Sequence, residues 1–367
     1  MPRADRVRGA AGRRRLGPAL AVLVAAALVL VGALTAGGGD RRIEVTVPET
    51  TTPVAEQEFF VAPDGDDGGS GAADDPWGSL GYALAQLRAG DRLTVAEGRY
   101  EENIDLRVHP GRREAPVRVV AAEGARPVVV GLLWLEDLSW WDIRGLNVTW
   151  HEENRADQHM VKLTDGVGWR FADAELWDAR SFAALLVAGK PEDYTLSGLY
   201  VHDTHPANDT NQDHLVYLNS GKGGGVLERS ILASSRNGRG VKVGPPGEGE
   251  GEVADIVIRY VTMVDNLGPS NVQLAYDVSR VVIERCLLVG SAPGRANVTT
   301  FELSGEGNVV RDTLGWESDA VAAEVEGLDG SNGNVRLDPR LSGSGGNRPY
   351  QPMEERARAY GRWAPGG

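Results

Sequence analysis

Short apolar triplets recur along the middle of the chain, each with a variable residue between two apolar ones. They are Val161-Lys162-Leu163, Leu185-Leu186-Val187, Val216-Tyr217-Leu218, Val241-Lys242-Val243 and Val272-Gln273-Leu274. If Thr204 to Gln212 and Pro245 to Glu252 are insertions, the triplets recur at a constant step of about two dozen residues. A constant step, with Gly and Asn between short β-branched runs, predicts a solenoid whose coils stack on one another.

The triplets also predict which side chains face solvent. Side chains alternate between the two faces of a strand, so the outer residues of each triplet point inward and the middle residue points outward. Two further sets of short apolar runs follow each triplet, as at Trp169 to Phe171 and Ala174 to Leu176. We therefore predict three strands per coil. The predicted outward row is Lys162, Leu186, Tyr217, Lys242 and Gln273.

An amphipathic segment precedes the repeats. Leu80, Leu84 and Leu87 share one helical face, and Ser79 is a suitable N-cap residue before them. A helix at this place would cover the apolar end of the first coil. We predict a β-helix domain over residues 58–341 that begins with this capping helix, and a C-terminal tail over 342–367.

The N-terminal composition is typical of an exported protein. Residues 1–16 are rich in arginine, and Leu16 to Ala36 carries no charged side chain and is long enough to cross a bilayer. The positive-inside rule puts residues 1–16 in the cytoplasm and the remainder outside. We expect one transmembrane helix at 17–36 and a flexible linker at 37–57, in a single-pass protein of the cell membrane. A cleaved signal peptide, and hence a secreted protein, is the alternative.

Composition narrows the class of partner. The net charge of −14 at pH 7 argues against nucleic-acid binding, which requires a basic surface. The chain contains 48 glycines, which suit a fold with many tight turns between short strands. We expect a monomer without a nucleic-acid partner.

Motifs at both ends of the predicted domain occur together in a known superfamily. They are Phe60 to Asp67, Pro76-Trp77, Ala89-Gly90-Asp91, Val95 to Tyr100 and, at the end, Leu337 to Leu341. With the repeats between them, they resemble the right-handed parallel β-helix proteins of the pectate-lyase-like superfamily. The resemblance implies an all-β, right-handed parallel β-helix. It does not specify a reaction, because the superfamily holds polysaccharide lyases, hydrolases, epimerases and proteins without known activity.

The two insertions flank the predicted outward row. The first comes just before the strand of Tyr217 and the second just after Lys242. Insertions on one face of a repeat protein commonly mark its binding surface, so we place the candidate site there. Tyr217 is the candidate sugar-stacking platform. The further candidates for substrate binding are Arg236, Gln273, His202 and His205.

The mixture of basic residues, histidines and aspartates among the candidates suits a site that handles an acidic polysaccharide. Removing the proton beside a uronate carboxylate requires a base of suitable pKa. Lys242 is the candidate base, provided that Arg236 and Arg239 lower the pKa of its ammonium group. We predict a catalytic centre that consists of Lys242, His214, Arg239 and Asp213.

The charge that develops on the uronate carboxylate must be stabilised by a cation or by Ca²⁺. In several lyases of the superfamily a Lys or Arg is the base and clustered Asp residues hold Ca²⁺. The resemblance therefore implies the same roles here, with Ca²⁺ as the candidate cofactor and Asp203 and Asp209 as its candidate ligands. The leading hypothesis is a polysaccharide lyase that acts by β-elimination.

Two alternatives stay open from the sequence. A glycoside hydrolase needs two carboxylates across the scissile bond, for which Asp203 and Asp213 are the candidates. A surface module that binds glycan or protein without catalysis needs neither a base nor a carboxylate pair. Under that alternative Lys242 and Tyr217 are ordinary solvated residues of a sheet, and His214 bonds a turn.

Overall fold

The computed structural model describes residues 56–206, 213–291, 296–317 and 332–365. In these residues three parallel sheets wind around one apolar core, and each coil passes through sheets 1, 2 and 3 in turn. Sheet 1 consists of β1 (Glu58–Val61), β2 (Arg92–Val95), β5 (Val117–Ala121), β8 (Trp141–Arg144), β11 (Arg170–Ala172), β14 (Tyr194–Ser197), β17 (Gly225–Glu228), β21 (Ile256–Arg259), β25 (Val282–Glu284) and β28 (Val309–Arg311).

Sheet 2 lies next along each coil and sheet 3 completes it. Sheet 2 consists of β3 (Arg99–Tyr100), β6 (Val128–Val130), β9 (Asn147–Thr149), β12 (Glu175–Trp177), β15 (Tyr200–Thr204), β18 (Ile231–Ser235), β22 (Thr262–Val264), β26 (Leu287–Val289), β29 (Leu314–Trp316) and β30 (Val335–Arg336). Sheet 3 consists of β4 (Asn103–Arg107), β7 (Leu132–Glu136), β10 (Val161–Thr164), β13 (Ala183–Ala188), β16 (His214–Asn219), β19 (Val241–Val243), β23 (Val272–Ala275) and β27 (Val298–Phe301). A small pair is formed by β20 (Val253–Ala254) and β24 (Val278–Ser279).

The registers confirm the repeat and the three strands per coil. The predicted inward row lies in register across sheet 3, and every member is fully buried: Val161, Leu185, Val216, Val241 and Val272. Stacked apolar rows of this kind bury a continuous core that no single coil could bury alone. The same registers place the middle residue of each triplet on the outward face.

The corner between sheet 1 and sheet 2 has the same form in consecutive coils. It consists of two residues, and the first of them is in the left-handed backbone region, which turns the chain sharply. These first residues are Gly145, Asp173, Gly198, Arg229, Tyr260, Arg285 and Asp312. In contrast, the turns from sheet 2 to sheet 3 differ in length, as between β9 and β10 and between β12 and β13. From β8 to β29, differences in turn length are therefore concentrated beside sheet 3.

The predicted capping helix is confirmed as α1 (Leu80–Gln86). Leu80, Leu84 and Leu87 are fully buried against the first coils. Ser79 occupies the N-cap position, but its hydroxyl donates to Asp67 and makes no capping hydrogen bond. The Glu102 carboxylate instead accepts the first helical amides, from Leu80 at 2.7 Å and from the next residue at 2.8 Å. A carboxylate there also interacts favourably with the helix dipole.

After β30 the chain turns back along sheet 2. We call residues 337–364 the C-terminal strap; it contains a 3₁₀ helix at Glu355–Ala359. Tyr350 and Ala357 of the strap are buried in a second apolar cluster with Ile231 and Val264 of sheet 2. Backbone hydrogen bonds tie the strap to the coils, as from the Gly361 N–H to the Arg285 carbonyl at 2.8 Å. Much of the outward face of sheet 2 is therefore covered.

The predicted transmembrane helix at 17–36 lies outside the described residues. Among the residues that the structure does describe, no helix is both long enough and apolar enough to span a bilayer.

Candidate functional site

An outward row of side chains runs along sheet 3, one residue per strand. In register order it is Asp105, Trp134, Lys162, Leu186, Tyr217, Lys242, Gln273 and Thr299. Tyr217 and Lys242 are direct neighbours, as predicted, and Gln273 follows Lys242. Neighbouring members are one strand spacing apart, about 4.8 Å.

Lys242 is half-buried and lies over an aromatic ring. Its Nζ is 4.6 Å from the centre of the Tyr217 ring, within the range of a cation–π interaction. Burial, and then the charge of Arg239, lower the pKa of the Lys242 ammonium group. Within the described ranges Lys242 has no ion-pair partner. A half-buried ammonium group without a carboxylate partner is well suited to meet an anionic ligand.

His214 lies three residues before Tyr217 on β16, and Arg239 lies three residues before Lys242, in the turn that leads into β19. The backbone N–H of Arg239 donates to Nδ1 of His214 at 3.3 Å, so the proton of the neutral ring is on Nε2. Burial, and then the charges of Arg239 and Lys242, hold the pKa of His214 well below its ordinary value. Burial also lowers the pKa of Arg239 to about 10. Two cations and a neutral imidazole therefore meet at one place.

Tyr217 supports Lys242 and has a buried hydroxyl. The His214 ring contacts it edge to face, with centres 6.0 Å apart. The Lys242 ammonium group lies over one face of the Tyr217 ring. The sequence instead suggests that a sugar stacks on this ring. Within the described part of the chain, the phenol oxygen is buried and has no hydrogen-bond partner. Burial raises the pKa of this phenol far above its ordinary value, so it stays protonated.

Asp213 is inside the coil, and this corrects its predicted place at the catalytic centre. Its side chain is fully buried, and its Oδ2 accepts backbone N–H groups from Arg236 at 3.0 Å and Asn237 at 3.1 Å. The hydroxyls of Thr204 and Ser235 also reach this carboxylate. Asp213 therefore stabilises the turn before β19 and does not face a substrate. The Arg236 side chain is exposed at that turn.

His202 belongs to a different face from Tyr217 and Lys242. It lies on β15 of sheet 2, where Nε2 pairs with Glu175 at 3.0 Å and Nδ1 with Asp203 at 2.8 Å. The prediction that His202 shares the face of Lys242 is therefore wrong. His205 follows β15 and pairs with Asp178 at 2.9 Å, in the turn between sheets 2 and 3.

The predicted carboxylate pair of a hydrolase does not assemble. Asp213 is buried and Asp203 is engaged with His202, so the two do not form the exposed pair that a hydrolase requires. The candidate Ca²⁺ ligand Asp209 lies outside the described residues. In the parts of the chain that are described, no group of three or more His, Cys, Asp or Glu side chains could hold a metal ion. Ca²⁺ prefers six to eight oxygen ligands, and with Asp209 outside the described residues the Ca²⁺ site stays a prediction.

A cavity opens beside the ends of β13 and β16. Its volume is about 650 Å³, and its lining includes Lys190, Asn219, Lys222 and Glu250. Glu250 belongs to the second insertion and is close enough to Tyr217 to contribute to the raised pKa of the phenol. The second insertion therefore borders both this cavity and the outward row.

The row contains a second aromatic–cation pair that the sequence analysis did not assign to the site. Nζ of Lys162 is 5.2 Å from the centre of the Trp134 ring, and both side chains are half-buried. Burial, and then the charge of Lys162, lower the pKa of the nearby His159 to about 4. Extending the repeat back by one coil would have found this pair, because Leu133-Trp134-Leu135 has the same pattern as the later triplets.

Comparisons with known proteins identify relatives by structure alone. The sequence matches no protein-family model and no curated protein. Among solved structures, the chain is similar to pectate lyase Pel9A, with a TM-score of 0.54 and 14% identity over 80% of this chain and 83% of that one. It is also similar to an alginate lyase from Paenibacillus sp. str. FPU-7, with a TM-score of 0.39 and 13% identity over 71% of this chain and 95% of that one.

The first of these similarities and the three parallel sheets agree with the fold predicted from the sequence. The chain has the pectate-lyase-like parallel β-helix fold. At such low identity the likeness concerns the fold and leaves the reaction open.

Proposed function

We propose that this pectate-lyase-like β-helix protein binds an acidic polysaccharide along the outward row of sheet 3 and cleaves it by β-elimination at Lys242. The observation that carries the proposal is the half-buried Lys242 ammonium group, which lies on the Tyr217 ring beside Arg239 and has a lowered pKa. Membrane attachment or secretion, as expected from the N-terminal sequence, would give the protein access to such polymers outside the cell.

Charge on this face favours an anionic ligand. Lys242 is half-buried and has no ion-pair partner within the described ranges, and burial of a cation without an anion is costly. A uronate carboxylate placed against the Lys242 ammonium group would offset that cost. The favoured ligand class is therefore a polymer of acidic sugars, even though the whole chain is strongly acidic.

The lowered pKa suits Lys242 to act as a general base. A neutral amine at Nζ removes the proton beside the uronate carboxylate, and the electron pair of that C–H bond forms the new double bond. The glycosidic C–O bond breaks, and the leaving oxygen takes a proton from solvent. Arg239 stabilises the negative charge that accumulates on the carboxylate during this step.

His214 has a positioning role in this proposal. Its ring is neutral and only 3% exposed, and it packs edge-on against Tyr217. A neutral ring adds no charge that would compete for the carboxylate. It supports the aromatic surface on which the Lys242 ammonium group rests. We propose no step through a metal ion.

A glycan-binding module without catalysis is the second candidate. It is favoured by the recurrence of the aromatic–cation pair at Trp134 and Lys162, because repeated binding elements along one face suit a surface that holds a polymer. Under this candidate Lys242 contributes to affinity, and no bond is broken.

A screen against acidic and neutral polysaccharides, with and without Ca²⁺, separates these candidates. Binding and the ultraviolet absorbance of unsaturated uronate products are recorded on the same samples. The proposal predicts that at least one acidic polymer is bound and converted to unsaturated products. Binding without products would favour the module, and saturated products would indicate a hydrolase. No binding to any acidic polymer would contradict the lyase proposal, and no binding to any polymer of the panel would contradict both candidates.

A further inference from the structure

The two aromatic–cation pairs occupy equivalent places in the outward row of sheet 3. In each, a lysine on one strand lies over the ring of the residue in register on the preceding strand. The distances from Nζ to the ring centre are 5.2 Å for Lys162 over Trp134 and 4.6 Å for Lys242 over Tyr217. One apolar residue, Leu186, separates the pairs. The row thus carries the same binding element twice.

We propose that Trp134 and Lys162 form a second acidic-sugar subsite, three strand spacings from Lys242. This inference rests on the proposed function of the face. It adds that the face recognises two carboxylates of the glycan and how far apart they are. The ligand class is an oligosaccharide that carries one carboxylate at Lys162 and another at Lys242.

The Trp134 pair is held in place by its surroundings. The indole N–H of Trp134 donates to the backbone carbonyl of His159 at 2.6 Å, which fixes the ring in the turn that leads into β10. A lysine side chain loses considerable conformational freedom when it binds a ligand. Resting on a fixed ring reduces that loss, so Lys162 is already positioned for an anion.

Charge at this place also suits a carboxylate. Within the described ranges Lys162 has no ion-pair partner. The nearby His159, whose pKa is lowered to about 4, is neutral at pH 7. The positive charge of this subsite at neutral pH therefore comes from Lys162.

The register fixes the distance between the two lysines. Passing from Lys162 to Leu186, Tyr217 and Lys242 takes three strand steps of about 4.8 Å each, about 14 Å in total. One sugar unit of an extended chain is about as long as one strand step. Carboxylates that are three units apart would therefore meet both lysines, and a tetrasaccharide is the shortest ligand that does so.

The test measures the affinity of acidic oligosaccharides of two to six units by calorimetry. Mildly acidic pH keeps the Lys242 amine protonated and slows cleavage. For the unchanged protein we expect a gain of about tenfold in affinity between the trisaccharide and the tetrasaccharide, as for one additional charge-assisted contact. The Lys162→Met variant should bind the trisaccharide and the tetrasaccharide with similar affinity, and it should bind the disaccharide as tightly as the unchanged protein does.

Two further variants serve as controls. Arg170→Met removes one positive charge from the outward side of sheet 1, and it should show the same length profile as the unchanged protein. Trp134→Leu should reduce the tetrasaccharide gain although Lys162 is retained, whereas Trp134→Phe should keep most of it. Melting temperatures of all variants show whether a loss of affinity reflects unfolding.

The outcomes separate this inference from the proposed function. If Lys162→Met follows the unchanged protein at every length, or if the gain comes at another length, the second subsite is wrong while the proposed function stands. If the gain is present but no cleavage occurs at any pH, the subsite stands and the lyase proposal is wrong. If no acidic oligosaccharide binds at all, both are wrong.

Discussion

The outward faces of sheets 2 and 3 are built on the same repeat but differ in what covers them. On sheet 2 the outward row includes Trp177, His202, Ala233, Val264 and Trp316, and the C-terminal strap packs against its later coils. On sheet 3 the corresponding row presents two aromatic–cation pairs whose lysines are half-buried, and no residue of the strap belongs to the apolar core that this sheet borders.

The difference between the two faces shows that, in one repeat, the inward residues can stabilise the fold while the outward residues serve ligand binding. The inward rows of both sheets contribute to the same core, so the outward residues are free to differ. Apolar residues on sheet 2 require a cover, and the strap supplies it. Half-buried cations on sheet 3 would be destabilised by an apolar cover, because their charge would lose water without gaining a partner. These half-buried lysines are suited to an anionic ligand that binds reversibly.

The largest effect that would sharpen this comparison is expected at Lys242. Changing Lys242→Met keeps most of the side-chain volume and removes the amine. Loss of a general base should lower kcat for cleavage of the acidic polymer by about a thousandfold, with little change in melting temperature. Initial rates of product formation measure this effect. Arg170→Met is the matched control, and cleavage that is unchanged in Lys242→Met would remove Lys242 as the base.

A strap variant should show the opposite behaviour. Trp363 packs in the apolar cluster of the strap and donates its indole N–H to the Pro349 carbonyl at 2.8 Å. Arg348 and Arg362 also lie over its ring. Trp363→Ala should lower the free energy of unfolding by about 2 kcal/mol in urea titrations and leave glycan affinity unchanged. If the fully folded Trp363→Ala variant bound glycan more weakly than the unchanged protein, the strap would contribute to binding.

The histidines of the two faces should respond to pH with opposite sign. The pKa of His159 is depressed in the folded protein to about 4, so the unfolded chain takes up the proton first as the pH falls below 6.5. Its contribution should destabilise the protein by up to about 3 kcal/mol as the pH falls from 6.5 towards 4. His159→Gln should therefore make the acid side of the stability profile flatter.

On sheet 2, burial alone would lower the pKa of His202, but hydrogen bonds to Glu175 and Asp203 outweigh burial and raise it. A raised folded pKa stabilises the protein below pH 6.5, and this stabilisation is lost as the pH rises through the folded pKa. His202→Gln should lower stability most at acid pH. Urea titrations across the pH range test both variants, and equal signs for the two histidines would contradict the assignment of His202 to an ion-paired environment.

The smallest effect is expected for Tyr217→Phe. This change keeps the ring under Lys242 and removes a buried hydroxyl that has no hydrogen-bond partner in the described part of the chain. Stability should rise by about 1 kcal/mol, because an unpaired buried polar group is lost. Cleavage should be nearly unchanged. A tenfold loss of kcat would show instead that the phenol acts on the substrate.

The repeat made most of the fold predictable. The spacing of the triplets and the alternation of side chains were enough to place Tyr217 beside Lys242. The capping helix followed from a separate signal, the helical spacing of Leu80, Leu84 and Leu87. Both signals are local, since a strand has a period of two and a coil contacts only its neighbours. The second pair at Trp134 and Lys162 follows from the same rule extended by one coil.

Other features depended on contacts that the repeat does not encode. His202 is close in sequence to the first insertion, yet it belongs to sheet 2, because the turn between sheets 2 and 3 intervenes. Asp213 directly precedes His214 but is buried by its bonds to a later turn. The strap has no repeat at all, and its packing arises from contacts between residues far apart in the chain, as at Arg362 and Thr262.

The proposed function requires that an acidic glycan binds along the outward row of sheet 3. A crystal structure of the Lys242→Met variant, soaked with an acidic hexasaccharide, tests it most directly. We expect an extended oligosaccharide that crosses the strands of sheet 3 along the outward row, with one carboxylate against Lys162 and a sugar over Leu186. A glycan bound on sheet 1, on the strap or only in the cavity lined by Lys190 and Lys222 would contradict it.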